Sequence, residues 1–387
     1  MIRRMVKEEW RTHSTLYRGA SFATFPLVVA AFSLAFSWLT LTYSSLGPDA
    51  LGTAITALGG FLGLMVGSIG FSSKDAMENV LGPMNLLIYS SRTLPISERR
   101  LVFDFLVKDV IYYTGLFLVP IAVGPLVFAG TALLADVATM FGLFSAGLLL
   151  SLVVSRTTVT LPSTSLLSYR RLSFLSPLSK KSVLDLSRSS GGLIKILFSA
   201  GLLTGFYWFA VLNFPATRGL LSNPLLSFSV VIGTINLSIY NWINRYDTID
   251  EYSYLPVEEN SLLDAKKEAY LFIAVPLTLF VVLASYVLYP QNLAVSIISA
   301  VTTTVFTLAV AAGLTGLEPN EKLFNSWIFL KFTLVNSLVV VPLLIFTIIY
   351  RPEMLWIYTG LCGAVALASS VSLVFRNQKT GWKVVET

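Results

Sequence analysis

Apolar residues in this chain come in long unbroken runs, not in stripes. Ten such runs lie at about 20–43, 51–72, 109–134, 137–160, 193–213, 222–244, 269–289, 292–316, 326–349 and 353–375, each long enough to cross a bilayer as a helix. The pattern predicts an all-α, polytopic transmembrane helical bundle of about ten spans. Polar stretches divide it. Residues 1–19 read as a cytoplasmic interfacial helix, with Trp10 and Tyr17 at headgroup depth and Arg3, Arg4, Lys7 and Arg11 toward anionic lipid. A disordered basic tail is the plainer alternative. The segment is too long and too charged for a signal-peptide n-region, and the run behind it is too long for an h-region. A first half (20–160, four spans, with a polar loop at 73–107), a Ser-, Arg- and Lys-rich cytoplasmic linker (161–192), a second half (193–375, six spans, with a polar loop at 245–268) and a cytoplasmic tail (376–387) complete the expected organisation. Within the linker, Ser182 with Asp185 three residues on has the spacing of a helix start. A turn is expected around Asp136.

Two polar interruptions share a layout. YSSRTLPISERRLVFDFLVK at 89–108 and EYSYLPVEENSLLDAKKEAY at 251–270 both run Tyr-Ser, then Leu-Pro and a branched aliphatic, then a short charged helix delivering lysine to the next apolar run. Leu94-Pro95-Ile96 matches Leu255-Pro256-Val257, and Lys108 corresponds to Lys266 or Lys267. The residue before proline is driven out of the α region, so the helix ahead must end there. Ser97 or Glu98 can open a short helix in one loop, and Ser261 with Asp264 forms a capping box in the other. The expected order is helix, break, short helix, break or bend, span. Pro120, Pro276 and Pro342 each follow a valine about three turns into a span, where they should kink it. These correspondences fit a parallel internal repeat; ordinary interfacial helices ending in snorkelling lysines would look similar. In the second span, Gly59, Gly63 and Gly67 lie four apart, a smooth stripe for close helix packing, with a substrate-lining face as the alternative.

Composition agrees with the membrane reading: 55% of residues are hydrophobic and 12% charged. The formal charge of +6 reflects where cations lie in a membrane chain and is not a sign of nucleic-acid binding. With the N-terminus inside, only Arg218 and Arg351 fall on outer loops, which places both Leu-Pro loops in the cytoplasm. One histidine, His13, and one cysteine, Cys362, leave no material for a histidine-based metal site or a cysteine cluster, and no cofactor is expected. The spans carry Ser, Thr, Asn and Tyr, such as Asn236, Asn336 and Thr302–Thr304, while Lys108, Asp109, Lys195, Glu268 and Lys331 sit at cytoplasmic span ends. That distribution weighs against proton-driven transport. The chain has no phosphate-binding GxxxxGK[ST] loop and no nucleophile elbow, so it is expected not to be an enzyme.

Together, the N-terminal amphipathic segment, the paired spans and the LPIS and LPVE loops with their charged helices resemble the membrane (permease) subunits of prokaryotic export-type ABC transporters. The resemblance covers most of the chain as a layout, on short motifs. It implies that the two loops are coupling segments, Thr93–Lys108 and Val257–Lys267, docking on separately encoded nucleotide-binding ATPase subunits. The implied docking residues are Pro95, Glu98, Arg99, Arg100 and Lys108 in one loop, and Pro256, Glu258, Glu259, Lys266 and Lys267 in the other. Family permeases commonly have about six spans. Ten spans with two coupling-like loops make this either a fused, shortened pair or a longer subunit that still forms a homo- or heterodimer with another permease. The expected location is the cell membrane, with membrane lipid as a further partner. The rival readings are a stand-alone channel, scramblase or secondary carrier, and a non-transporting scaffold subunit.

Overall fold

The computed structural model of the chain describes residues 2–7, 10, 23–43, 47–71, 98–158, 167–189, 192–213, 221, 223–252, 254–323, 325–349 and 352–375. Leu94–Ile96 with Pro95, the rest of 73–97, Arg11, Tyr17, Arg218, Arg351 and the 376–387 tail lie outside them. The chain is an all-helical, multi-pass membrane protein. Seven helical stretches among the described residues are long and apolar enough to cross a bilayer: 25–42, 106–150, 224–246, 259–288, 293–315, 326–347 and 355–373. The 106–150 stretch holds the third expected span and the first part of the fourth. The expected spans at 51–72 and 193–213 are helical but are not among the seven.

Two compact units are present. The first comprises Met1–Pro162, Trp208–Thr217 and Phe324–Ser326. Residues 2–7 are helical, and the longer helices of this unit are α1 (Phe25–Tyr43), α2 (Gly47–Phe71), α3 (Glu98–Tyr113), α4 (Val119–Ala129) and α5 (Leu134–Thr158). A π-helical turn, Thr114–Leu118, joins α3 to α4 and places Pro120 just inside the new helix. The expected turn at Asp136 lies earlier, at the 3-10 segment Gly130–Leu133, and Asp136 instead sits in the first turn of α5. Gly130 decides this: its φ of 60° with ψ of −143° is backbone that a side chain excludes. Asp136 gains by the shift, because a carboxylate is favoured at the positive end of a helix.

Packing in this unit depends on small residues. A Cβ on Gly63 would come within 2.1 Å of the Phe144 carbonyl oxygen, and one on Gly59 within 2.5 Å of the Met140 carbonyl. Gly147 returns the contact against Gly60 and Leu64. The expected glycine stripe is therefore the α2–α5 seam at Gly59 and Gly63. Contacts advance together along both chains, so α2 and α5 run in the same direction. So do α1 and α4, where Phe25 meets Phe117 and Ser33 meets Ile121 and Gly124.

The second unit comprises Ser163–Tyr207, Arg218–Leu323 and Trp327–Thr387. Its helices are α6 (Pro177–Arg188), α7 (Ile194–Asn213) as far as Tyr207, α8 (Pro224–Ile235), α9 (Leu237–Tyr246), α10 (Glu259–Leu288), α11 (Leu293–Thr315), α12 (Pro319–Lys322), α13 (Ser326–Ile349) from Trp327 onward and α14 (Leu355–Phe375). The α6 start differs from expectation. Ser176 caps it, accepting from the Ser179 amide ahead of Pro177, while Ser182 and Asp185 lie in its interior. Proline at the first helical position needs no amide donor, which fixes the start there.

Two further expectations are corrected. α10 begins at Glu259, whose preceding residue Glu258 is extended and makes no side-chain cap, and then runs unbroken to Leu288 through Pro276. Ser261 and Asp264 are thus inside this helix and not a capping box, and no break separates the charged segment from the span. Asp264 pairs with Lys267 at 3.0 Å instead. Pro342 likewise lies within continuous α13.

The interior of this unit joins hydroxyls and amides in pairs. Asn236, at the α8–α9 junction, donates to Thr278 on α10 (2.6 Å) and Thr304 on α11 (3.1 Å). Ser299 on α11 meets Tyr358 on α14 at 2.8 Å, and Ser227 on α8 meets Thr347 on α13 at 2.6 Å. Apolar spans have no hydrophobic preference for one another over lipid, so such bonds and close packing select their neighbours.

Candidate functional site

Charge collects at one corner of the second unit, where α6, the 247–258 segment and the first turns of α10 meet. Asp247 follows α9 and is fully buried. Its Oδ1 accepts from Lys181 Nζ at 2.6 Å and from the Tyr252 hydroxyl at 2.7 Å. Its Oδ2 accepts from Ser182 and from Lys266 Nζ, and Lys266 also donates to the Asp247 backbone carbonyl at 2.5 Å. Lys266 is 1% exposed. A buried ion pair is tolerable only when the remaining lone pairs and protons are satisfied, and this carboxylate has donors on both oxygens.

Burial by itself would raise the Asp247 carboxyl. The Lys266 charge and the bonds from Lys181, Lys266 and Ser182 outweigh that, so it is held below the usual carboxylate value. Lys181 shows the opposite sign. Burial would lower its ammonium, but hydrogen bonds to Asp185, Asp247 and Glu251 raise it above the ordinary lysine value. With its side chain 39% exposed, most of that gain is screened.

Asp185, Asp247 and Glu251 bring three carboxylate oxygens within 4.8 Å of one another, the grouping of a cation site. The position between them is taken by the chain itself. Lys181 Nζ lies 2.8, 2.6 and 2.7 Å from the three in turn, and 4.9 Å from the centre of the Tyr252 ring. A metal ion would have to displace a side chain already held by three charges.

Two further contacts fix the corner to the spans. Glu268 on α10 accepts from the Ser176 amide at 3.3 Å and from the Ser179 hydroxyl, which sets a carboxylate at the α6 N-terminus. Lys267 Nζ reaches the Leu373 carbonyl near the end of α14 at 3.2 Å. Beneath the turn, Tyr252, Leu262 and Leu317 are buried together with Val257, Ile249 and Leu178 packed against them. The turn itself points outward: Tyr254 is 96% and Leu255 53% exposed. Pro256 and Glu258 are exposed and Glu259 is half-buried. The outcome is an exposed Tyr-Leu-Pro tip on a braced frame that continues without interruption into the 30-residue helix α10.

The residues singled out from sequence divide accordingly. Pro256 and Glu258 are on the tip with Glu259 at its base, whereas Lys266 and Lys267 face inward and brace it. In the first unit, Arg100 is exposed, and Lys108 is 1% exposed and paired with Asp109 at 2.8 Å. Glu98 and Arg99 open the described part of α3, and Pro95 is outside it. Sequence reasoning missed Lys181, Ser182 as a ligand of Asp247, Asp247 itself and Tyr252. The one available signal was an aspartate directly behind the Arg245-Tyr246 end of an apolar run, in a chain with few carboxylates near spans. No family model, curated protein or solved structure matches this chain.

Proposed function

We propose that the chain is the permease subunit of an ABC transporter in the cell membrane, with ten spans and a cytoplasmic N-terminus, driven by ATP hydrolysis on separate nucleotide-binding subunits. The observation that carries this reading is the exposed 254–258 tip held on the Asp247–Lys266–Lys181 frame and continuous with α10. A soluble partner needs an exposed anchor, and aromatic residues are favoured as such anchors. A push on the tip reaches the span only if nothing between them bends. A buried, fully satisfied polar network and an unbroken helix supply that stiffness. In this reading Tyr254, Leu255, Pro256, Glu258 and Glu259 dock, and Lys266 and Lys267 brace. Pro95, Glu98, Arg99 and Arg100 form the counterpart in the first loop, with Lys108 as its brace.

The test is co-expression with candidate ATPase subunits carrying a phosphate-binding loop, followed by purification on the permease. Retention of the ATPase is expected to fall about tenfold or more in Tyr254→Ala and in the Glu258→Arg, Glu259→Arg double variant, as for loss of a central anchor. Arg100→Glu tests the first loop in the same way. If no ATPase is retained, or if every variant retains it unchanged, the carrier, channel or scaffold reading replaces this one.

A further inference from the structure

A groove of about 510 Å³ opens between α11, α13 and α14, with Phe306, Leu314, Val335, Val339, Ala364 and Ser372 among its walls. We propose that it binds an acidic phospholipid, with an acyl chain along the apolar walls and the headgroup phosphate at Lys331. Leu314 and Ser372 mark one mouth. That mouth lies at the end of the unit where α11 and α14 finish and Lys267 reaches Leu373. Phe306, Val339 and Ala364 lie deeper, so the slot runs from the polar end of the helices toward their middle.

Lys331 stands at this mouth. On α13, Trp327, Lys331, Val335 and Val339 recur every four residues and therefore share one face. Val335 and Val339 line the groove, which sets Lys331 one turn outside it and Trp327 a turn beyond. The Lys331 ammonium is exposed and lies 4.9 Å from the centre of the Trp327 ring, itself 62% exposed. Among the described residues no carboxylate pairs with Lys331. Tryptophan and a basic side chain at the end of a span belong at headgroup depth. A cation there, with no counter-charge among the described residues and with an apolar slot behind it, complements the two ends of an anionic lipid.

The lining from Phe306 to Leu314 extends about 12 Å along α11, the length over which an acyl chain would lie.

The experiment uses the full chain, purified in mild detergent, incubated with equal amounts of phosphatidylglycerol and phosphatidylcholine of identical acyl chains, and read by native mass spectrometry. Phosphatidylglycerol is expected to be retained about fivefold over phosphatidylcholine, the preference one basic residue gives near an anionic headgroup. Lys331→Gln should bring that ratio close to one, while Lys180→Gln, on α6, should leave it unchanged. Val335→Trp, which fills the slot from an already exposed position, should lower retention of both lipids. A ratio unchanged by Lys331→Gln, or retention unchanged by Val335→Trp, overturns the proposal. So does a dimer that Val335→Trp disperses while no lipid is retained, which assigns the groove to a second copy. No ATPase subunit is needed, so the result is independent of whether the chain is a permease subunit.

Discussion

Asp247 is where a single substitution has the largest consequence. Asp247→Ala leaves Lys266 buried without its partner, and removing one member of such a pair costs about 3–5 kcal/mol. Lys181→Met removes a half-exposed partner and should cost about 1 kcal/mol or less. Thermal unfolding of the purified chain, followed by light scattering or fluorescence, gives the order; equal losses would show that burial does not govern the pair. The pH dependence has a definite sign. A carboxyl held below its free value contributes stability above the unfolded value of about 4 and loses it as pH falls through the lower, folded value. Lys181, raised in the folded state, contributes below about 10.5 and loses its part at more alkaline pH. The melting temperature should therefore be insensitive to this network between about pH 5 and 7 and fall below about pH 4. Asp247→Asn should start lower and lose less over that acid range; a parallel fall in both proteins would place the acid sensitivity elsewhere.

At the scale of elements, the glycine stripe and the prolines behave differently from one another. Gly63 is pressed against the Phe144 backbone, which has nowhere to move, so Gly63→Ala should destabilise the α2–α5 pair by about 1–3 kcal/mol. Gly142, on α5, has nothing within 4 Å of the point where an alanine methyl would stand. It should accept alanine with no loss, or gain up to about 1 kcal/mol. If both changes give the same shift in melting temperature, the seam is not closely packed. Pro125 within α4 has no amide to give the Ile121 carbonyl four residues back. Ser33 on α1 donates to that carbonyl at 2.5 Å and accepts from the Gly124 amide at 3.2 Å. In a membrane the orphaned carbonyl needs such a donor. Ser33→Ala should cost about 1–3 kcal/mol, and Ser33→Thr, keeping the hydroxyl, should cost less.

For the whole molecule, the helical membrane fold was legible because a bilayer demands long apolar runs and internal backbone bonding, and both are written in one dimension. Helix ends were less legible. The Gly130 break and the Ser176 cap won over the Asp136 and Ser182 signals, because a glycine with positive φ and a proline at the first helical position are stronger constraints than a spacing of polar residues. The Leu-Pro loop at 251–270 was visible as a motif, but its rigidity was not. That depends on Lys181, Asp247 and Lys266, which no local pattern connects.

The sequence by itself determined that this chain crosses a membrane several times as helices, that its cations gather at span ends, and that Gly59 and Gly63 form a packing face. Hydrophobic length, charge placement and helical periodicity are local properties, so composition and spacing suffice for them. Only the tertiary structure decided which lysines brace and which charges stay exposed, that a lysine occupies the space among three carboxylates, and that an apolar groove opens between α11, α13 and α14. Those depend on side chains distant in sequence meeting within a few ångströms, and the free energy of a buried charge is set by that meeting.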